Sequence, residues 1–467
     1  MQFEKGTLAD LAATLVTLEE GFASLPAFDA QVPGRERIGE VLQQVAVRLQ
    51  DNYPYFHPLY AGQMLKPPHP VARAAYALAT WINPNNHALD GGRASSEMEK
   101  EAVAEIAGMF GWQAHLGHLT GGGTMGNLEA LWAAGQLHPG KKIAASSQAH
   151  YAHSRISKVL GLQFVELPCD VRGRMDVDAL AQRLVRGDIG CVVATVGTTG
   201  TGSVDPLPEI LRLRDQYGFR VHVDSAYGGY FTLARNLAEE TRAAYEKISQ
   251  ADSIVIDPHK HGLQPYGCGC VLFRDPSVGA LYKHDCAYTY FTSTELHLGE
   301  ISLECSRPGA SAVALWATQK LLPPVRGGEF AAGLEASREA AMNLARHLAA
   351  DSRWLLPFPP ELDIVVWTPN AASATLASEM THRIFAAAAK RGLHLALARL
   401  PVRFFPTFRN PGGQTVSAAL PLVDSSDQET VLCLRSVLMK PEHREWLQQI
   451  LPILDAAYRD AAKGTEK

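Results

Sequence analysis

Nothing in this 467-residue chain is apolar over a length that could cross a bilayer, and no basic-then-apolar leader follows Met1. A membrane span and an export signal are therefore not expected. A basic cluster is also missing. With 43 Lys and Arg against 48 Asp and Glu, neither nucleic acid nor an anionic membrane surface is an expected partner. Paired CxxC motifs are absent, and the seven cysteines are scattered and odd in number. They read as reduced thiols of a cytoplasmic protein, not as a disulfide framework. Cys268 and Cys270 flank Gly269 in CGCVLF, which has the alternation of a core strand and is not read as a metal site. No internal repeat or low-complexity segment shows. What is there is an ordinary globular composition, 46% hydrophobic and 19% charged, with ample material for a core.

Two amphipathic helices are expected in the first fifty residues, in LADLAATLVTLEEGFASL and, after Pro33-Gly34, in RERIGEVLQQVAVRLQD. Each carries an apolar stripe with nothing evident to cover it. The next stretch, NYPYFHPLYAGQMLKPPHP, is dense in proline and aromatics and reads as irregular. Ser95 or Ser96 offers an N-cap to a long helix. From Leu119 the segments HLTGGGTMGNLEALWAAGQL, KIAASSQ, FVELPC, DALAQRL, CVVATVGTT, EILRLRDQYG and RVHVDS alternate strand and helix character. That rhythm predicts an α/β fold with a mostly parallel central sheet and helices on both faces. Near Pro323 to Gly328 the composition turns alanine-rich and helical. The expected organisation is a helical segment and entrance loop over 1–100, a large domain over 101–325 and a small C-terminal domain over 326–467.

Two strand-to-turn elements carry the chemistry. HVDSAYGGY (222–230) ends a strand with Asp224, and ADSIVIDPHKHGLQPYGCG (251–269) ends another with Asp-Pro and then Lys260. A lysine that holds an aldehyde as an imine, and an aspartate that keeps a pyridine nitrogen protonated, are what pyridoxal phosphate chemistry needs. The helical LAEETRAAYEKISQA between them fits a strand-helix-strand unit. Upstream, TGGGTMGN (120–127) lies between a strand and a helix, where glycines let backbone approach an anion and a helix N-terminus attracts it.

With these motifs, over roughly Tyr55 to Thr318, the chain resembles the group II pyridoxal-dependent amino-acid decarboxylases, the family of the aromatic amino-acid, glutamate and archaeal tyrosine/aspartate decarboxylases. The resemblance implies a fold-type I, aminotransferase-like architecture, pyridoxal 5′-phosphate as cofactor, and a homodimer with shared active sites whose N-terminal helices wrap the partner subunit. It implies Gly123 and Thr124 at the phosphate, with His259 reaching it. His150 would stack on the ring and Ala226 pack on its other face. Thr199, with Thr198 as the less favoured choice, would lie near the phenolic oxygen. Asp224 would pair with the ring nitrogen and Lys260 with the aldehyde. Tyr290, in the interval before SRPGA, matches the family's proton donor, with Tyr288 as its rival; Arg307 matches a structural arginine. Phe56, His57 and Tyr60 match segments that line the substrate entrance.

The same fold supports transamination and carbon–carbon lysis, and a decarboxylase-like scaffold without activity is a further alternative. Aminotransferases clamp the substrate carboxylate with an arginine of the small domain, and RLPVRFFPTFRN offers Arg399, Arg403 and Arg409. DPHK, QAH and the tyrosine interval favour decarboxylation. Two residues depart from the family pattern: Ser225 after the aspartate, and His261 after the lysine, where animal aromatic decarboxylases carry Trp. The second moves the chain toward the archaeal branch. Tyr53, Tyr55, Phe56 and Tyr60 favour an aromatic substrate, with aspartate or glutamate as the alternative.

Overall fold

The alternating segments from Leu116 onward build one sheet and the alanine-rich remainder builds another. The computed structural model describes residues 3–283, 296–371, 373–405 and 429–463. Ahead of the first sheet come α1 (Gly6–Glu20), α2 (Ile38–Leu49), α3 (Pro70–Thr80) and α4 (Leu89–Met109). Neither α1 nor α2 buries a single residue in this chain, and Val41, Leu42, Val45 and Leu49 of α2 are exposed. Helix α4 starts earlier than a Ser95 or Ser96 cap would have it, and it runs through residues 100–101. Both serines lie buried inside it, and Ser95 Oγ bonds Asn86 Oδ1 (2.5 Å) and Gly92 O (3.2 Å), where Gly92 leaves helical geometry.

The large sheet contains β1 (Leu116–Thr120), β2 (Lys142–Ser146), β3 (Phe164–Leu167), β4 (Ile189–Thr195), β5 (Arg220–Asp224), β6 (Ser253–Ile256) and β7 (Gly269–Phe273). Their order is β1-β7-β6-β5-β4-β2-β3. Only β7 runs against the rest, pairing antiparallel with both β1 and β6. Between the strands lie α5 (Gly123–Leu137), α6 (Ala152–Val159), α7 (Val177–Leu184), α8 (Leu207–Tyr217) and α9 (Glu239–Glu246). Every residue of β4 is buried, as expected for a parallel strand covered on both faces. Registers align the strand ends: Thr195 of β4 stands opposite Asp224 of β5, and Asp224 opposite Val255 of β6. The carboxyl ends of β1, β4, β5 and β6 therefore open on one edge, where α/β sheets bind ligands.

After α10 (Gly309–Leu321) and α11 (Glu329–Ala349) come β8 (Trp354–Leu355), β9 (Ile364–Pro369), α12 (Ala374–Ala389), β10 (Ala396–Pro401), β11 (Thr430–Val437) and α13 (His443–Lys463). These four strands form an antiparallel sheet ordered β10-β11-β9-β8. Its core includes Leu344, Leu348, Trp367, Ile384, Leu434 and Leu454. Among the described residues no helix is long and apolar enough to cross a membrane, and no group of His, Cys, Asp and Glu could hold a metal ion.

Candidate active site

A cavity of about 280 Å³ sits at the carboxyl edge of the large sheet, lined among others by Gly123, Thr124, His150, Thr199, Asp224 and Lys260. Ala226 and His259 line it too, so every proposed cofactor residue converges there. Tyr290, Tyr288 and Arg409 lie outside the described residues.

Asp224 ends β5 and is buried. Its Oδ2 accepts from His153 Nε2 at 2.8 Å and Asn127 Nδ2 at 3.2 Å, and its Oδ1 from the Ala226 amide at 3.1 Å. Burial alone would raise this carboxyl. The hydrogen bond from His153 and the positive charges of His153 and Lys260 outweigh burial and hold it well below the usual carboxylate range. Asn127 Oδ1 in turn receives His222 Nε2 at 2.8 Å, and His222 Nδ1 meets Ser253 Oγ at 2.9 Å.

Lys260 follows β6 through a turn in which its amide bonds Asp257 O at 2.9 Å. Its Nζ lies 3.0 Å from Asp257 Oδ2. Among the described residues, Asp257 Oδ1 and His259 Nδ1 are buried without a hydrogen-bond partner. The glycine run that ends β1 leads straight into α5, whose first amides have no carbonyl partner within the helix. Gly122 adopts φ +146, a conformation L side chains rarely take. A Cβ on Gly123 would fall 2.9 Å from Asp257 Oδ2 and 3.0 Å from the Ala226 Cβ. The cradle thus has unpaired polar atoms and glycine-only clearance, which fits a phosphate-bearing ring held between Asp224 and Lys260.

His150 Nδ1 accepts from the Ala152 amide at 3.2 Å, and burial lowers the ring's basicity. The neutral imidazole therefore carries its proton on Nε2. Thr199, not Thr198, lines the cavity; Thr198 Oγ1 is engaged with Thr201 (2.9 Å) and the Ser203 amide (3.0 Å). Ser225 is accommodated because its hydroxyl donates to Val255 O at 2.7 Å. His261 does not line the cavity. It is buried behind it, 3.3 Å from Asp363 Oδ2, while Asp363 Oδ1 receives the hydroxyl of cavity-lining Tyr227 at 2.6 Å. Arg307 is buried, bound to Glu99 and to Leu119 O, and ties α4 to the end of β1.

Neither Arg399 nor Arg403 lines the cavity, and both are exposed. The small-sheet arginine that reaches this region is Arg435, whose guanidinium donates to the carbonyls of Thr199 (2.6 Å), Gly200 (3.0 Å) and Gly62 (3.3 Å). Phe56, His57 and Tyr60 also stay out of the cavity in a single chain. They pack against Phe3, Trp446 and His394 respectively. Sequence reading missed Asn127, His153, Asp257 and Tyr227. Asn127 stood in the quoted glycine run and Asp257 in DPHK, while His153, one helical turn after His150, was the readable signal for a second histidine on the same side.

Compared with known proteins, residues 35–368 match the family model described as the pyridoxal-dependent decarboxylase conserved domain. An L-tyrosine decarboxylase of Enterococcus faecium is 27% identical, over 73% of this chain and 74% of its own length. A probable L-tyrosine/L-aspartate decarboxylase of Methanothermobacter thermautotrophicus is 30% identical, over 66% of this chain and 83% of its own. Among solved structures, mouse CSAD in apo form superposes with TM-score 0.74 at 18% identity, covering 97% of this chain and 92% of that one. Oryza sativa TDC with PLP and tryptamine gives 0.73 at 17%, covering 98% and 99%. At such identities these two structures share the fold.

Proposed function

This chain belongs to the pyridoxal-dependent decarboxylase family, and from that premise we propose that it removes the carboxylate of an aromatic, tyrosine-like L-amino acid. The enzyme is a pyridoxal-phosphate amino-acid decarboxylase. When bound, the cofactor supplies an aldehyde that an amine can capture and a pyridinium ring that draws electrons from the bond being broken. One observation carries the assignment of residues: Asp224 and Lys260 follow adjacent strands and open into one cavity with a glycine cradle. In this reading Lys260 captures the aldehyde and Asp224 keeps the ring nitrogen protonated. Gly123, Thr124 and His259 hold the phosphate, His150 and Ala226 sandwich the ring, and Thr199 serves its phenolic oxygen.

Transamination would call for an arginine that clamps the substrate carboxylate, and decarboxylation for a carboxylate left unclamped. Supporting this, no arginine lines the cavity among the described residues, and Arg435 is committed to three backbone carbonyls. Tyr290 is assigned the return of a proton to the α-carbon. The aromatic preference is supported by relatives named for tyrosine, and aspartate is the competing substrate because other relatives are named for it. The exposed apolar residues of α1 and α2 support a homodimer in which these helices wrap the partner copy. The free cysteines of the described residues suit a cytoplasmic setting.

The test is a screen of carbon dioxide release from tyrosine, phenylalanine, tryptophan, aspartate and glutamate, with keto-acid formation followed in parallel. Tyrosine is expected to turn over fastest; keto acid in place of carbon dioxide would remove the decarboxylase reading. Tyr290→Phe should slow amine release by about a hundredfold or more, in the range of a lost general acid, with the yellow cofactor still bound.

A further inference from the structure

The buried polar chain behind Asp224 has a proton order that its chemistry dictates. An ionised carboxylate only accepts, so Asn127 presents its amide N–H to Asp224 and its carbonyl to His222. His222 therefore donates from Nε2, and its Nδ1 accepts the Ser253 hydroxyl. These partners are neutral and fixed by β5, β6 and α5. His153 approaches from another element, α6, and is the nearest donor to the carboxylate, at 2.8 Å. It is fully buried, and its Nδ1 has no partner among the described residues, so nothing competes with the carboxylate for its proton.

We propose that His153 is a positioning residue for the cofactor, its Nε2–H fixing the Asp224 carboxylate in the ionised, cavity-facing state and so setting how strongly the pyridine nitrogen is kept protonated. This rests on the reading of Asp224 as the ring-nitrogen partner. Of the effects that oppose the burial of Asp224, the His153 hydrogen bond is the largest, ahead of the charge of Lys260. The other titratable groups around Asp224 are Lys260, His222, and His150, whose own neighbours include Asp257. Among the described residues none of these bonds Oδ2, which His153 shares with Asn127. Asn127 donates from 3.2 Å and is itself tied to His222, so it does not take the place of the 2.8 Å donor.

The test compares wild type with His153→Leu, His153→Asn and His153→Gln. Leu removes the donor, Asn is polar but too short to reach Oδ2, and Gln places an N–H near the position of Nε2. Three quantities are read: the pyridoxal phosphate dissociation constant from fluorescence titration, the pH midpoint of the yellow band of the loaded protein, and the melting temperature without cofactor. Leu and Asn should weaken cofactor binding about tenfold or more, as loss of a hydrogen bond to a charged group does. They should also raise the midpoint by about one pH unit, because a ring nitrogen without its proton no longer repels a proton at the Lys260 nitrogen. Gln should restore both. Yellow variants whose midpoints match wild type, whatever their melting temperatures, overturn the role of His153 and leave Asp224 in place. A wild type that stays colourless with the cofactor overturns the underlying reading together with this one.

Discussion

Asp224 and Asp257 follow neighbouring parallel strands, line the same cavity and are both buried, yet they are satisfied differently. Asp224 is held by donors from α5, α6 and the backbone after β5, none of which need move during a reaction. Asp257 shares one oxygen between Lys260 Nζ at 3.0 Å and His259 Nε2 at 3.6 Å, and its other oxygen has no hydrogen-bond partner among the described residues. Its principal partner is the amine proposed to react. On the proposed assignment the first carboxylate would serve a constant electrostatic task and the second a transient one, which separates electron withdrawal from delivery of the amine.

Removing the constant partner should have the largest effect. Asp224→Ala would delete the anion proposed for the ring nitrogen, and decarboxylation should fall about a thousandfold or more, comparable to losing a preorganised electrostatic group. Single-turnover carbon dioxide release with saturating cofactor measures it. Turnover within tenfold of wild type would erase the distinction between the two carboxylates. Acid offers a second probe. Burial, reinforced by neighbouring positive charge, pushes both His222 and His443 down to about 3 from an ordinary 6.5. Between those values the unfolded chain binds protons that the fold refuses, so stability falls as pH drops from about 6.5 toward 3 and is unaffected above. By pH 5 the loss is about 2 kcal/mol per group. Urea midpoints at pH 7.5 and pH 5 should show it, and His222→Gln should cancel its own share, about 2 kcal/mol of the difference. His443, on the small-sheet side, contributes a similar share without touching the Asp224 chain.

How much of this was readable depended on whether partners lie close in sequence. KIAASSQ, CVVATVGTT and RVHVDS became β2, β4 and β5 because a doubly covered parallel strand announces itself as an apolar run, and FVELPC became the half-exposed edge strand β3. Asp224, Lys260 and the glycine run were legible because their motifs are local, and the sheet brings them together by ending its strands on one edge. The small-domain arginines stayed an open question for the opposite reason. Arg399 and Arg403 stood in a conspicuous cluster, but Arg399 lies on β10, the edge strand of the small sheet, Arg403 just beyond it, and both are exposed. Arg435, on the next strand in, finds carbonyls of Thr199 and Gly62 that no local pattern connects to it. His261 was read as a departure toward the archaeal branch; what it does in the fold, a buried contact with Asp363 roughly a hundred residues on, no local pattern shows.

The smallest expected effect falls on the transient carboxylate. Asp257→Asn keeps the shape of the side chain and removes the charge beside Lys260, whose ammonium is partly exposed, so solvent screens the pair and its worth is about 1 kcal/mol. The change should appear where the amine reacts: without the anion that favours the Lys260 ammonium, the neutral amine is more available and the yellow band should form about fivefold faster when cofactor is mixed with the stripped protein. The final spectrum should be nearly unchanged, because the Asp224 network that governs the ring is intact. Stopped-flow absorbance separates these two quantities. If Asp257→Asn shifted the final spectrum as far as loss of the His153 donor does, Asp257 would be acting on the ring as well as on Lys260, and the division of labour between the two strand ends would be wrong.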